Sequence, residues 1–293
     1  MVRLVLIVIV AASAAGSAWQ QPSFRSGVQT VVIHSTVKDE SGRLVPDLTL
    51  DVFEVFDNGK PAEITAFSNA AQPITVALML DMSGSMMPQL IRVRDSTLRF
   101  IEALHPEDRA RIGTFGSEIA LSPILTNDKA VLTRVAREEL WPGGGTPLWN
   151  ALYAAMGSLA GEQGRRVVLV LTDGMNTGSL PGLSGDFGNV RARATKDGYM
   201  LYSIGMEGVY QDESEVKKYL QLIDDTGGGH FNVSAQDDLQ ATFARVADEL
   251  RRQYLIGFAP VALDGKEHTL EVRMKKPGLR ARARKSYVAG QSR

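Results

Sequence analysis

The chain has 293 residues, 44% hydrophobic and 22% charged, with a formal net charge of −1. That composition leaves room for one large globular domain and a small one, and it excludes a disordered chain and, for the chain as a whole, a nucleic-acid or other polyanion binder. There is no cysteine, which excludes disulfides, thiolate metal sites and lipid attachment through a signal-peptide cysteine.

The N-terminus reads as a secretory signal peptide over residues 1–18. Arg3 supplies the positive n-region and Leu4 to Ala15 an apolar stretch too short to span a bilayer comfortably. Gly16-Ser17-Ala18 then offers small residues for cleavage. The mature protein is expected to be exported, periplasmic or secreted, with no transmembrane segment left after cleavage. An uncleaved anchor is the alternative. Residues 27–70 alternate apolar and polar, as in Val28, Thr30, Val32 and again Leu50, Val52, Glu54, Phe56. Glu40-Ser41-Gly42 and Asp57-Asn58-Gly59 interrupt them as turns, so this stretch is predicted as antiparallel β.

From 73 to 252 the pattern changes. Apolar strands at 74–80, 110–115, 118–124, 166–172, 199–204 and 229–233 alternate with helical patterns at 88–104, 129–140, 147–160, 189–197, 214–225 and 237–252. Runs such as Val167-Val168-Leu169-Val170-Leu171 are apolar on both faces, the mark of a mostly parallel sheet covered by helices. The segment after 110–115 follows too closely for a crossover and must pair antiparallel at an edge. Residues 253–290 return to β alternation, with Tyr254, Ile256, Phe258 and then Leu270, Val272, Met274. Neither flank is large enough to fold alone. The expected architecture is an α/β domain, doubly wound around a mostly parallel six-stranded sheet, inserted in a small β-sandwich made of 27–70 and 253–290. The alternation of Arg280, Arg282 and Arg284 predicts the solvated face of an edge strand.

An open sheet of this kind binds ligands at the carboxyl ends of its strands, where the winding reverses. With a 3-2-1-4-5-6 order, that point lies between the first strand and the fourth. The first strand runs into Asp81-Met82-Ser83-Gly84-Ser85, and the strand 166–172 runs into Asp173-Gly174. Between them, Gly143-Gly144-Gly145-Thr146-Pro147 opens a helix with a glycine turn. Two carboxylates and three hydroxyls make a hard-oxygen set suited to a small divalent cation.

Asp81-x-Ser83-x-Ser85, followed by Thr146 and then Asp173, resembles the metal-ion-dependent adhesion site of von Willebrand factor A domains. The resemblance covers about residues 73–252. The flanks, through Phe53-Glu54-Val55-Phe56-Asp57-Asn58-Gly59-Lys60 and Gln253-Tyr254-Leu255-Ile256-Gly257-Phe258, resemble bacterial (acidobacterial-type) envelope proteins described as VWFA-related. The resemblance implies that Asp81, Ser83, Ser85, Thr146 and Asp173 hold Mg²⁺ or Mn²⁺. It implies further that the metal ligates an Asp or Glu of a protein partner, and that the helix 237–252 shifts when the partner binds.

Other readings weigh against this one. Asp81, Ser83, Ser85 and Thr146 are each good helix caps, and Asp173-Gly174 is an ordinary turn pair. A phosphohydrolase of the haloacid dehalogenase type needs a second Asp where Ser83 stands. Neither a P-loop nor a G-x-S-x-G elbow occurs. His34, His105, His230 and His268 lack metal-ligand spacing and read as structural or surface residues. A non-enzymatic binding module is the expectation. A metal-stabilised structural or assembly protein of the cell envelope is the alternative, with a Mg-dependent phosphohydrolase behind it. Trp141, Trp149, Met86, Met87 and Pro88 flank the site loops as a possible apolar rim, and Trp149 reads equally well as a packing residue.

Overall fold

A computed structural model of the chain describes residues 30–138, 143–174, 176–206, 213–234 and 236–290. The expected signal peptide and Trp141 lie outside them. The N-terminal β segment forms β1 (Val31–Lys38), β2 (Phe53–Asp57), β3 (Lys60–Ala62) and β4 (Ile64–Ser68). Asn58 (φ 50°) and Gly59 (φ 75°) turn the chain between β2 and β3, the left-handed pair that a two-residue hairpin requires.

The central region follows as β5 (Thr75–Asp81), α1 (Leu90–Ala103), β6 (Arg109–Phe115), β7 (Ile119–Leu121), α2 (Lys129–Glu138), α3 (Leu148–Ser158), β8 (Arg166–Thr172), α4 (Phe187–Asp197), β9 (Met200–Met206), α5 (Glu213–Asp225), β10 (His230–Val233) and α6 (Leu239–Arg251). These six strands form one sheet in the order β10-β9-β8-β5-β6-β7. All pairings are parallel except β6 with β7, the antiparallel edge. In chain order this is the 3-2-1-4-5-6 arrangement. The expected helix at 88–104 begins two residues late, because a 3₁₀ turn containing Pro88 occupies Gly84–Gln89.

Each face of the sheet carries its own core. Val76, Leu78 and Leu80 of β5 pack with Phe100 of α1, Leu132 of α2 and Phe243, Val246 and Leu250 of α6. Ala77 and Met79, on the opposite face by the period of two, pack with Leu152 and Met156 of α3, Val190 of α4 and Tyr219 and Leu222 of α5. Fully burying one such large side chain is worth about 1.5–3 kcal/mol. The central strands are buried on both faces, which is why they read as unbroken apolar runs.

The C-terminal segment adds β11 (Tyr254–Phe258), β12 (Glu267–Met274), β13 (Arg280–Arg282) and β14 (Ser286–Val288). Two four-stranded antiparallel sheets result, β13-β1-β11-β4 and β14-β12-β2-β3. Each joins strands from before and after the α/β region. Ile33, Phe53, Val55, Ile256, Phe258 and Leu270 fill the space between them. Tyr254 meets Phe53 and Phe67 at ring-centroid distances of 4.9 and 5.8 Å, and its hydroxyl accepts from Leu48 N at 2.9 Å.

The expectation for the alternating arginines needs correction. β13 is an edge strand and Arg280 is exposed, but Arg282 turns inward to pair with the buried Glu249 of α6, and Arg284 is largely covered. Glu249 also pairs with Lys38 of β1 at 2.8 Å and accepts from Tyr202 Oη at 2.8 Å. The inserted domain's last helix is thus tied to the sandwich by one shared carboxylate.

Candidate metal centre

β5 and β8 lie side by side in parallel, with Leu80 opposite Leu171, so their carboxyl ends reach the same edge of the sheet. β5 delivers Asp81, and β8 delivers Thr172 and then Asp173. This is the point where the chain winds outwards in both directions, through β6 on one side and β9 on the other. The glycine turn 143–147 is bound to the Asp81 loop from both sides. Gly143 N donates to Met82 O at 2.8 Å, and Gly84 N donates to Gly144 O at 3.2 Å. Gly144 sits at φ +81°, and a Cβ there would lie 2.4 Å from Ser117 N, so only glycine lets this turn pack so closely against the turn between β6 and β7.

Asp81, Ser83, Thr146 and Asp173 are buried, while Ser85 is exposed. The Ser83 and Ser85 hydroxyls are 3.2 Å apart. Asp81 does not cap a helix: its Oδ1 accepts from Ser83 N at 2.9 Å, a local turn, and its Oδ2 accepts from Thr172 Oγ1 at 2.6 Å. Thr172 Oγ1 accepts in turn from Gly174 N at 3.0 Å. Thr172 therefore sets the orientation of the carboxylate. It was not singled out from the sequence, because it reads there only as the last residue of a strand.

Thr146 does not cap α3 through its hydroxyl either. Leu148 N donates to Asn176 Oδ1 at 3.0 Å, and Thr146 N donates to Thr177 Oγ1 at 2.9 Å. Thr177 N closes the loop by donating to Thr146 O at 3.1 Å. Asn176 and Thr177 thus join the Thr146 turn to the Asp173 loop. Trp149 is a packing residue, buried against Phe187 and Tyr219, with Nε1 donating to Glu215 Oε2 at 3.2 Å. Met86 is buried as well, whereas Met87 remains 51% exposed beside the loop.

The donor chemistry fits a hard divalent ion. Burial pushes the Asp81 carboxyl up to about 6, and the negative charge of Asp173 pushes the same way, against the hydrogen bonds from Ser83 and Thr172. Among the described residues no cationic side chain pairs with Asp81, whose partners are Ser83 N and Thr172 Oγ1, so a buried carboxylate here lacks a counter-charge that a cation would supply. No group of three or more His, Asp or Glu side chains placed to hold a metal ion occurs among the described residues. A cation at this edge would therefore need the hydroxyls of Ser83, Ser85 and Thr146, together with water, beside the two carboxylates. Mg²⁺ tolerates that arrangement because it keeps part of its hydration shell.

The histidines stand elsewhere. His268 lies in the sandwich, with Nδ1 2.7 Å from Asp57 Oδ1 and Nε2 3.1 Å from Asp264 Oδ1, and His230 contacts Asn232 Oδ1 at 2.6 Å.

Residues 76–176 match the family model described as von Willebrand factor type A domain. No curated protein matches the sequence. Among solved structures, the fold is similar to a von Willebrand factor type A protein from Catenulispora acidiphila. That match has a TM-score of 0.53 and 14% identity, and it covers 92% of this chain and 76% of that one. It is also similar to a D319A mutant of the PilB minor pilin from Streptococcus sanguinis (TM-score 0.51, 16% identity, 63% of each chain). The pilus adhesin SpaC from Lactobacillus rhamnosus GG in its open conformation has a TM-score of 0.50 at 13% identity, over 93% of this chain and 48% of that one. At these identities the likeness is one of fold.

Proposed function

We propose that this protein is an exported, non-enzymatic binding module that holds Mg²⁺ or Mn²⁺ at Asp81, Ser83, Ser85, Thr146 and Asp173 and uses it to ligate an Asp or Glu of a protein partner. The observation that carries the reading is the convergence of the three loops at the carboxyl edge of β5 and β8, around a buried carboxylate with no cationic partner among the described residues. The bound ion would supply Lewis acidity toward an incoming carboxylate. The chain's own residues divide the remaining work. Thr172 orients Asp81, while Asn176 and Thr177 hold the Thr146 turn against the Asp173 loop. Exposed Ser85 and Met87 border the side from which a partner would approach. Hydrolysis is disfavoured because Ser83 occupies the position where an acid–base carboxylate would be needed, and a serine cannot shuttle a proton near neutral pH.

The Catenulispora and Streptococcus structures bear on this reading by their fold, and SpaC is a pilus adhesin. Export is carried by the expected signal peptide. The test is capture of partners from a cell-envelope extract with the full chain, in Mg²⁺ and then in excess EDTA. The reading expects a protein retained with Mg²⁺, released by EDTA and absent with Asp173→Ala. Retention of the same proteins in EDTA would overturn it.

A further inference from the structure

Two adjoining hollows of this molecule lie at the opposite end of the sheet from the metal centre. Between the sandwich and the amino ends of the parallel strands is a recess of about 40 Å³. It shares Val32, His34, Arg165, Gly198 and Arg284 with a cleft of about 740 Å³ that also takes in Arg166. Arg166 opens β8 and Arg165 directly precedes it, while the carboxyl end of the strand leads into Asp173. At seven residues of strand, the two ends are about 20 Å apart.

The walls are unbalanced in charge. Each acidic residue on them is matched elsewhere: Glu162 with Arg109 at 2.6 Å, Asp225 with Lys285 at 3.3 Å, and Asp197 with Arg193 at 3.8 Å. Among the described residues, no carboxylate lies within ion-pair distance of Arg165, Arg166 or Arg284. Their terminal nitrogens are met by carbonyls instead. Arg165 donates to Leu250 O and Gln253 Oε1 through one nitrogen and to Gln72 O and Pro73 O through the other; Arg166 donates to Asp197 O, and Arg284 to Thr195 O. The Nε atoms of Arg165 and Arg166 and Nδ1 of His34 are buried without a hydrogen-bond partner. Burial lowers Arg165 and Arg284 to about 10 each, and burial together with those two guanidiniums lowers His34 to about 3. Three guanidiniums gathered without an anion are costly, and buried charges are ordinarily paired.

We propose that this junctional cleft is a binding site for a small tetrahedral oxyanion of the phosphate or sulfate class, held by Arg165, Arg166 and Arg284 beside His34. Several acceptor oxygens on one dianion suit converging guanidinium forks. The outer cleft, lined by all three arginines and His34, has room for the anionic group and for a substituent on it. Because His34 and Arg284 come from the sandwich region and Arg165 and Arg166 from the inserted sheet, the bound anion would pin the two together.

The experiment uses the full chain in EDTA, so that the metal centre takes no part. Thermal unfolding and calorimetric titration are run with inorganic phosphate, sulfate and glycerol phosphate, at constant ionic strength set with NaCl. Phosphate is expected to raise Tm and to bind, with affinity at least about tenfold weaker in Arg284→Gln and in Arg166→Gln, one charge-assisted contact being worth about a factor of ten or more. Asp81→Ala should bind phosphate like the unaltered protein. Binding of glycerol phosphate as well identifies an ester-bearing ligand, and binding of the inorganic anions alone identifies the free ion. In the unaltered chain, the His34 ring resonance should shift on adding phosphate, a readout that needs no variant. The proposal is overturned if phosphate does no more than NaCl, in which case the carbonyls alone satisfy the arginines. It is overturned equally if the effect survives both arginine variants or disappears with Asp81→Ala.

Discussion

Replacing Thr172 by Val keeps the shape of a fully buried side chain and removes one hydroxyl. That hydroxyl donates to Asp81 Oδ2 at 2.6 Å and accepts from Gly174 N at 3.0 Å. A hydrogen bond to an ionised carboxylate contributes about 1.5–3 kcal/mol. Outer partners of metal ligands typically change affinity about 10–100-fold, and that range corresponds to the same energy at about 1.4 kcal/mol per factor of ten. Thr172→Val should therefore weaken Mg²⁺ binding by about 10–100-fold. Thr172→Ser, which retains the donor, should recover most of the loss. The hydroxyl also holds the Asp81 carboxyl down from where burial would place it, so its removal raises the carboxyl beyond about 6. Protons then compete with the metal over a wider range, and the deficit should be larger at pH 6 than at pH 8. Calorimetric Mg²⁺ titrations of the three proteins at both values make the comparison. Equal Mg²⁺ affinity for Thr172→Val and the unaltered chain would refute the assignment of Asp81 as a ligand oriented by Thr172.

The remaining expectations concern stability and the loops. Glu249→Ala leaves Arg282 and Lys38 without their shared carboxylate, and loss of one partner of a buried pair costs about 3–5 kcal/mol, discounted towards the lower figure because both cations are partly exposed; urea unfolding measures it. Gly144→Ala forces a side chain into a left-handed position against the Ser117 backbone, so it should destabilise the chain by more than about 1 kcal/mol and weaken Mg²⁺ binding together. His34 titrates near 3 when folded and near 6.5 when unfolded, so the unfolded chain takes up its proton first as pH falls. The stability linked to His34 is complete above pH 6.5 and is lost at up to about 1.4 kcal/mol per pH unit between 6.5 and 3. Unfolding free energies of the unaltered chain and His34→Gln at pH 7, 6 and 5 should diverge in that sense, and parallel curves would show that His34 is not held neutral in the fold.

The order of the α/β sheet was legible because strands buried on both faces have no polar side to blur the pattern, and because the close spacing of β6 and β7 permits only an antiparallel pair. The juxtaposition of the Asp81 and Asp173 loops followed from that order alone. What lay beyond the sequence were contacts made by short polar side chains outside any periodic element. Thr172 reads as a strand residue, and Asn176 and Thr177 as loop polarity, until their partners are seen. The alternation at Arg280, Arg282 and Arg284 is the same for a solvated edge and for a strand whose second arginine faces a buried glutamate 33 residues away. Pattern gives the side on which a charge lies and leaves its partner open. Pro88 in turn marks where α1 is delayed, since proline is easily accommodated in an initial turn and poorly within a helix.

Calorimetric titration of Mg²⁺ into the EDTA-stripped and dialysed full chain, beside Asp81→Ala and Asp173→Ala, tests the metal centre most directly. One equivalent should bind to the unaltered protein and raise its Tm, and neither variant should bind, while both retain the circular dichroism of the folded chain. Undiminished Mg²⁺ affinity in both variants would contradict the site.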